Sequence, residues 1–178
     1  MLLSWFEGAT SVISVPPLPL SPEFGEGWDH GLVSLYLEDV VVGSQFVTEE
    51  VTITAEDIIA FATQFDPQPF HTDPEAAKSS FFGGLAASGW HTAAITMRLL
   101  VTQGPEIAGG TIGAGGELAW PSPTRPGDRL HVRITVESVT PSKSNPSRGS
   151  TMLRVETLTS EDELRQLFTV RTLLFARS

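Results

Sequence analysis

The segment Asp66-Pro67-Gln68-Pro69-Phe70-His71 carries the residue types best suited to chemistry in this chain. Two prolines stiffen the backbone between an acid and an imidazole, because each fixes its own φ. A carboxylate and an imidazole held a short loop apart can grip one water between them. The pair can then serve as general base and general acid in one event. The same two residues also suit purely structural tasks, Asp66 capping a helix end and His71 sitting as a hydrogen-bonded core histidine. A second feature lies seventeen residues after His71, where Ser88-Gly89 opens an apolar stretch. The first N–H groups of a helix lack internal partners and carry partial positive charge, which suits a carbonyl oxygen gaining charge. Glycine there, with no Cβ, lets a ligand approach the amide closely.

These residues need elements to hold them. Thr54-Ala55-Glu56-Asp57 has the spacing of a capping box, and Ile58, Ile59, Phe61, Ala62 and Phe65 follow at helical spacing. A helix over 55–65 is therefore predicted, ending where Asp66 precedes Pro67. Asp73-Pro74-Glu75 starts a second short helix, about 74–79. Ser88 caps a longer one over 89–103, with Ala93, Ala94, Met97, Leu100 and Val101 as its apolar face. Val47 to Ile53 alternates as a strand would. After Thr111 the pattern is strands throughout, with Leu130, Val132, Ile134 and Val136 alternating strictly and a polar loop over 140–149. Strands and helices followed by a run of strands predict an α+β fold in which a curved antiparallel sheet wraps one long central helix.

Composition narrows the function classes. With 178 residues, 40% hydrophobic and 18% charged, and a mean hydropathy of +0.05, this reads as one soluble globular domain. No cysteine is present, which excludes disulfides, thiolate catalysis and Cys-based metal sites. The net charge is −10. Residues 1–77 hold no Lys or Arg, and all eleven cations lie in 78–178. An acidic chain with no basic run suits neither nucleic acid nor an anionic membrane. Residues 1–34, with Pro16, Pro17, Pro19 and Pro22, read as an irregular arm preceding a domain over 35–178. That arm has no positive leader region and no apolar run reaches a membrane span, so a cytoplasmic location is expected. Trp90 and Trp120 read as core or pocket wall, His91 as a satisfied polar contact, and His131 as facing solvent. His30 lies in the arm. Nothing points to a metal or a bound cofactor.

Together these segments resemble the MaoC-like branch of the hotdog fold, which includes the R-specific enoyl-CoA hydratases. The resemblance rests on Tyr36-Leu37-Glu38-Asp39 with Gly43 as an opening strand. It rests also on Asp66 through Asp73, on Phe81 through Gly89, on Pro123-Thr124-Arg125-Pro126-Gly127-Asp128, and on the strands that follow. Gln68 stands where the family more often has Asn. The resemblance implies a single hotdog domain that reversibly adds water to a trans-2-enoyl thioester of CoA or a carrier protein, giving the (R)-3-hydroxyacyl product. It implies catalytic roles for Asp66 and His71, and a thioester-carbonyl contact at the Gly89 amide, flanked by Ser88 and Trp90. The phosphates of such a carrier would fall to the basic half of the chain, with Arg125, Arg129, Lys143 and Arg148 on or beside loops. An exposed sheet edge implies a homodimer or a multiple of one. A hotdog thioesterase and a non-catalytic acyl-thioester-binding module are the other readings these residues allow.

Overall fold

The computed structural model describes residues 34–177. The expected arm over 1–34 therefore falls, apart from Ser34, outside the described residues, as does His30.

Helix α1 (Ala55–Phe65) begins as its sequence dictates. Thr54 Oγ1 accepts from the Asp57 amide at 3.1 Å, and the Asp57 carboxylate accepts from the Thr54 amide at 3.1 Å. Asp66 caps its C-terminal end, just before Pro67. Two short turns follow, α2 (Pro69–Thr72) and α3 (Pro74–Lys78), each with proline in its first turn. The second is capped by Asp73, whose carboxylate accepts from the amides of Glu75 and Ala76. Helix α4 (Gly89–Gln103) has the span the sequence predicts, with Ser88 as its N-cap.

One antiparallel sheet carries the remaining elements. Its strands are β1 (Gln45–Val47), β2 (Val51–Thr52), β3 (Ile112–Ala119), β4 (Arg129–Pro141), β5 (Arg148–Thr159) and β6 (Leu164–Phe175). The order is β1-β4-β5-β6-β3, with β2 also pairing β4. Val132 and Ile134 on β4, Val155 on β5 and Val170 on β6 are buried, and α4 packs on them through Leu99 and Leu100. A second cluster, Ile53, Ile58, Ala77, Leu85, Ala87 and Leu130, ties α1 and the 85–87 loop to the same sheet. Ile95 packs against both clusters. This is the α+β arrangement of a hotdog, a central helix wrapped by a curved antiparallel sheet.

Three local expectations are corrected. Residues 36–39 do not open as a strand; Leu37–Asp39 is a 3₁₀ turn, closed by the Tyr36 amide donating 2.9 Å to the Asp39 carboxylate. The stretch 47–53 is not one strand but two short ones. The chain turns at Thr48, whose Oγ1 accepts from the Val132 amide and so replaces a backbone group in the ladder. The inward face of α4 is His91, Thr92, Thr96, Leu99 and Leu100, whereas Met97 and Val101 are nearly half exposed. Threonines can occupy that face because they are paired. Thr92 Oγ1 lies 2.9 Å from Thr124 Oγ1, Thr96 Oγ1 lies 2.6 Å from Thr157 Oγ1, and Gln166 Nε2 donates 3.0 Å to Thr96 Oγ1. Buried polar groups persist when each finds a partner.

Candidate active site

Asp66 leaves the C-terminal end of α1 and meets the N-terminal end of α4. Its Oδ2 accepts from Ser88 Oγ at 2.6 Å, and its Oδ1 accepts from Gln68 Nε2 at 2.7 Å. Burial raises the Asp66 carboxyl's pKa. Hydrogen bonds from Ser88 and Gln68 and the nearby His71 outweigh that and hold it below the usual carboxylate value. Asp66 is thus a stable carboxylate with both oxygens already engaged.

His71 stands in α2, where the two prolines and the short turn bring it back toward Asp66. It is 5% exposed, and its Nε2 lies 3.4 Å from Asp66 Oδ2. Its Nδ1 lies 2.7 Å from the Ala86 carbonyl oxygen. A carbonyl only accepts, so Nδ1 carries a proton and, in the neutral ring, Nε2 presents its lone pair beside Asp66. Phe70 meets the ring edge-on at 4.5 Å, and Phe82 lies 6.0 Å away, so imidazole rotation is restricted.

Ser88, fully buried, does two things at once. Its Oγ donates to Asp66 and accepts from the Trp90 amide at 3.3 Å. The amides of His91 and Thr92 turn back to the Ser88 carbonyl. The Gly89 amide alone in this first turn has no protein acceptor among the described residues. It sits one residue from the Ser88 hydroxyl that grips Asp66. An unpaired backbone donor and a carboxylate–imidazole pair therefore converge at the start of α4. The missing Cβ of Gly89 has a different reason from the one expected. A Cβ there would come within 2.7 Å of the Trp120 ring, so glycine is needed for the indole to pack on the helix.

The remaining site expectations divide. Arg125 does not reach outward; its guanidinium donates to the carbonyls of Phe82, Gly84 and Leu85, clamping the loop that leads into α4. Arg129 lies at the site end of β4 and pairs with Glu50. Lys143 and Arg148 lie at the opposite end of the sheet, lining one shallow groove with Arg171. The 13 residues of β4 separate the two ends, a span of roughly 35–40 Å. Trp90 is 61% and Trp120 39% exposed, so neither is core. His91 is not a satisfied polar contact: its buried Nδ1 has no partner, and its ring stacks on Phe61 at 4.5 Å. His131 is half-buried, on the sheet face turned away from the core residues Leu130 and Val132. Among the described residues no cluster of three or more His, Asp or Glu side chains is placed to hold a metal.

From sequence Gln166 does not stand out, and Trp120 reads only as core or pocket wall. Gln166, a polar residue at an inward position of an alternating strand, was the available signal. Its Oε1 accepts from the Trp120 indole N–H at 2.9 Å.

Comparison with known proteins agrees with this fold. Residues 39–157 match the family model described as MaoC like domain. A MaoC-like dehydratase from Rhodospirillum rubrum, known as a crystal structure, is 56% identical, with a TM-score of 0.80 over 82% of this chain and 99% of that one. The R-hydratase PhaJ1 from Pseudomonas aeruginosa, 22% identical, shares the fold with a TM-score of 0.64 over 82% of this chain and 88% of its own. The uncharacterized protein YdeM of Bacillus subtilis is 33% identical over 111 residues, covering 61% of this chain and 77% of its own.

Proposed function

This chain belongs to the MaoC-like domain family, and from that premise we propose that it hydrates the trans-2-enoyl group of an acyl thioester, reversibly, to the (R)-3-hydroxyacyl thioester. The observation that carries the reading is the convergence of Asp66, His71 and the unpaired Gly89 amide at one helix end.

The thioester carbonyl accepts from the Gly89 N–H, and the α4 terminus stabilises the charge that collects on its oxygen. A water sits within reach of both Asp66 Oδ2 and His71 Nε2. Asp66 is held as a carboxylate by Ser88 and Gln68, which makes it a weak base. His71 Nε2 has the free lone pair, so it takes the proton as the water oxygen bonds to Cβ. The imidazolium formed beside Asp66 then returns that proton to Cα as the charge flows back from the thioester oxygen. Atoms balance: one water is consumed, and no other reactant is needed.

The carrier is CoA or an acyl carrier protein, and the functional unit is a homodimer. Strand β3 is an exposed sheet edge of eight residues, and a second copy would cover it. Antiparallel pairing of two such edges would bring Lys143 and Arg148 of one copy to the site end of the other. The expected phosphate contacts would then act between subunits. No helix among the described residues is long and apolar enough to cross a membrane.

The test is incubation of purified protein with a panel of trans-2-enoyl-CoAs, following loss of the conjugated thioester absorbance and resolving the product enantiomers. The expected result is absorbance loss with the (R) product. Release of free thiol from saturated acyl-CoA, without hydration, would instead indicate a thioesterase.

A further inference from the structure

Trp120 occupies a position the reaction itself does not explain. Ring atoms Cδ2 and Cε2 lie 2.7 Å from where a Gly89 Cβ would be, so the indole covers the residue whose amide is free. Its own N–H is already engaged by Gln166 Oε1, and Gln166 is 1% exposed. Gln166 is fixed in turn by donating to Thr96 Oγ1, which lies 2.6 Å from Thr157 Oγ1. The indole is thus pinned from beneath by buried groups and offers no polar atom outward. Trp90 meets it edge-on, with ring centroids 5.3 Å apart and planes at 76°. The result is a fixed apolar surface, partly open to solvent, beside the carbonyl donor.

Two arms leave a thioester carbonyl. The pantetheine arm carries amides that need hydrogen-bond partners, and the acyl tail needs none. The Trp120 ring, its one N–H taken by Gln166, presents only a face and an edge and fits the tail. We infer that Trp120, held by Gln166, is the acyl-specificity residue of this site: the hydrocarbon tail lies along the Trp120–Trp90 surface, and longer tails are favoured over short ones. The inference rests on the enoyl-thioester reading above and goes beyond it by naming the substrate class. Gln166 is a positioning residue, acting only through the indole.

The experiment compares kcat/KM for crotonyl-CoA and trans-2-octenoyl-CoA. A fully buried methylene strengthens binding about fourfold. A tail resting on one open face keeps part of that, so the octenoyl substrate is expected to be favoured by about tenfold. Trp120→Ala should bring the ratio close to unity, mainly by raising KM for the octenoyl substrate. Trp120→Phe, which keeps a smaller ring, should fall between. Gln166→Met leaves the indole in place but unanchored, and should lower the ratio as well. Should Trp120→Ala fail to fold, the other two variants carry the test. A wild-type ratio at or below unity would overturn the inference, as would a ratio unchanged in the folded variants. So would an equal rise in KM for both substrates, which would place the indole on the pantetheine side. Loss of a dimer without a change in ratio would overturn it too, because a second copy would then be what covers the rings. Absence of hydration with either substrate would overturn the reading of the site itself.

Discussion

Asp66 works as a carboxylate because Ser88 and Gln68 hold it there, and this makes its protonation measurable. The Asp66 carboxyl should titrate below the usual carboxylate range. In Ser88→Ala a bond that favours the charged form is gone, so that titration should move to higher pH. The same variant removes a helix cap, costing about 1 kcal/mol of stability. The carboxyl carbon resonance of Asp66, followed by NMR against pH in both proteins, checks the direction. His91 gives a second prediction. Burial lowers its pKa to about 4 from 6.5, although Asp57 opposes the shift. Between those pH values the unfolded chain binds a proton that the folded chain does not. Stability therefore rises with pH through that window and is lost as pH falls, by about 3 kcal/mol in all. His91→Phe, which keeps the stacking on Phe61, should flatten that dependence in denaturant titrations at pH 4 to 6.5. Asp66, His71, Ser88 and Gly89 could be read from sequence because local signals place them: prolines, a cap and a helix start. Gln166 could not, and Trp120 could be read only as core or pocket wall, because the indole meets Gly89 and Gln166 only once β3 pairs with β6.

At the scale of elements, a single cation clamps the loop over 82–85 that leads into α4. Arg125 donates to three carbonyls of that loop, and its own amide donates to Asp128, which Arg165 grips at 2.8 Å. Arg125→Ala should cost about 2–4 kcal/mol, the scale of several hydrogen bonds to a charged group. It should leave the salt dependence of KM little altered, which thermal unfolding and kinetics at two ionic strengths would separate. A fall in affinity that is steepest at low salt, without loss of stability, would restore Arg125 to the phosphate contacts. The spans of α1 and α4 were legible because capping residues and proline mark their ends. The buried face of α4 was not, since hydropathy favours Met97 and Val101 over Thr92 and Thr96. What decides the face is the hydroxyl pairing with Thr124, Thr157 and Gln166, supplied by strands distant in sequence. The four-residue α2 is too short for any period to show, and the split at Thr48 depends on a side chain entering the ladder.

For the whole molecule, the alternating strands after Thr111 and one long helix already fixed the class of fold. They left open which edge is free. The strand order puts β3 at one edge, with Gly113, Gly115 and Gly116 thinning its side-chain cover. Light scattering at micromolar concentration should give the mass of a dimer or a multiple of it, and a monodisperse monomer would contradict this. Replacing Lys143 and Arg148 together by Ala should raise KM for an enoyl-CoA and reduce its salt dependence if the sites are shared between copies. An unchanged KM would leave those cations outside the site, as the length of β4 places them within one copy.

The account depends above all on Asp66 and His71 acting as a unit on one water. Turnover of a trans-2-enoyl-CoA by wild type and by folded Asp66→Asn tests this most directly. The substitution keeps size and one of the two accepting oxygens but removes the charge that supports the imidazolium. The expected result is a loss of about 10²–10⁴ in kcat, the range for a positioned acid–base group. Near-wild-type hydration by the folded variant would contradict the account.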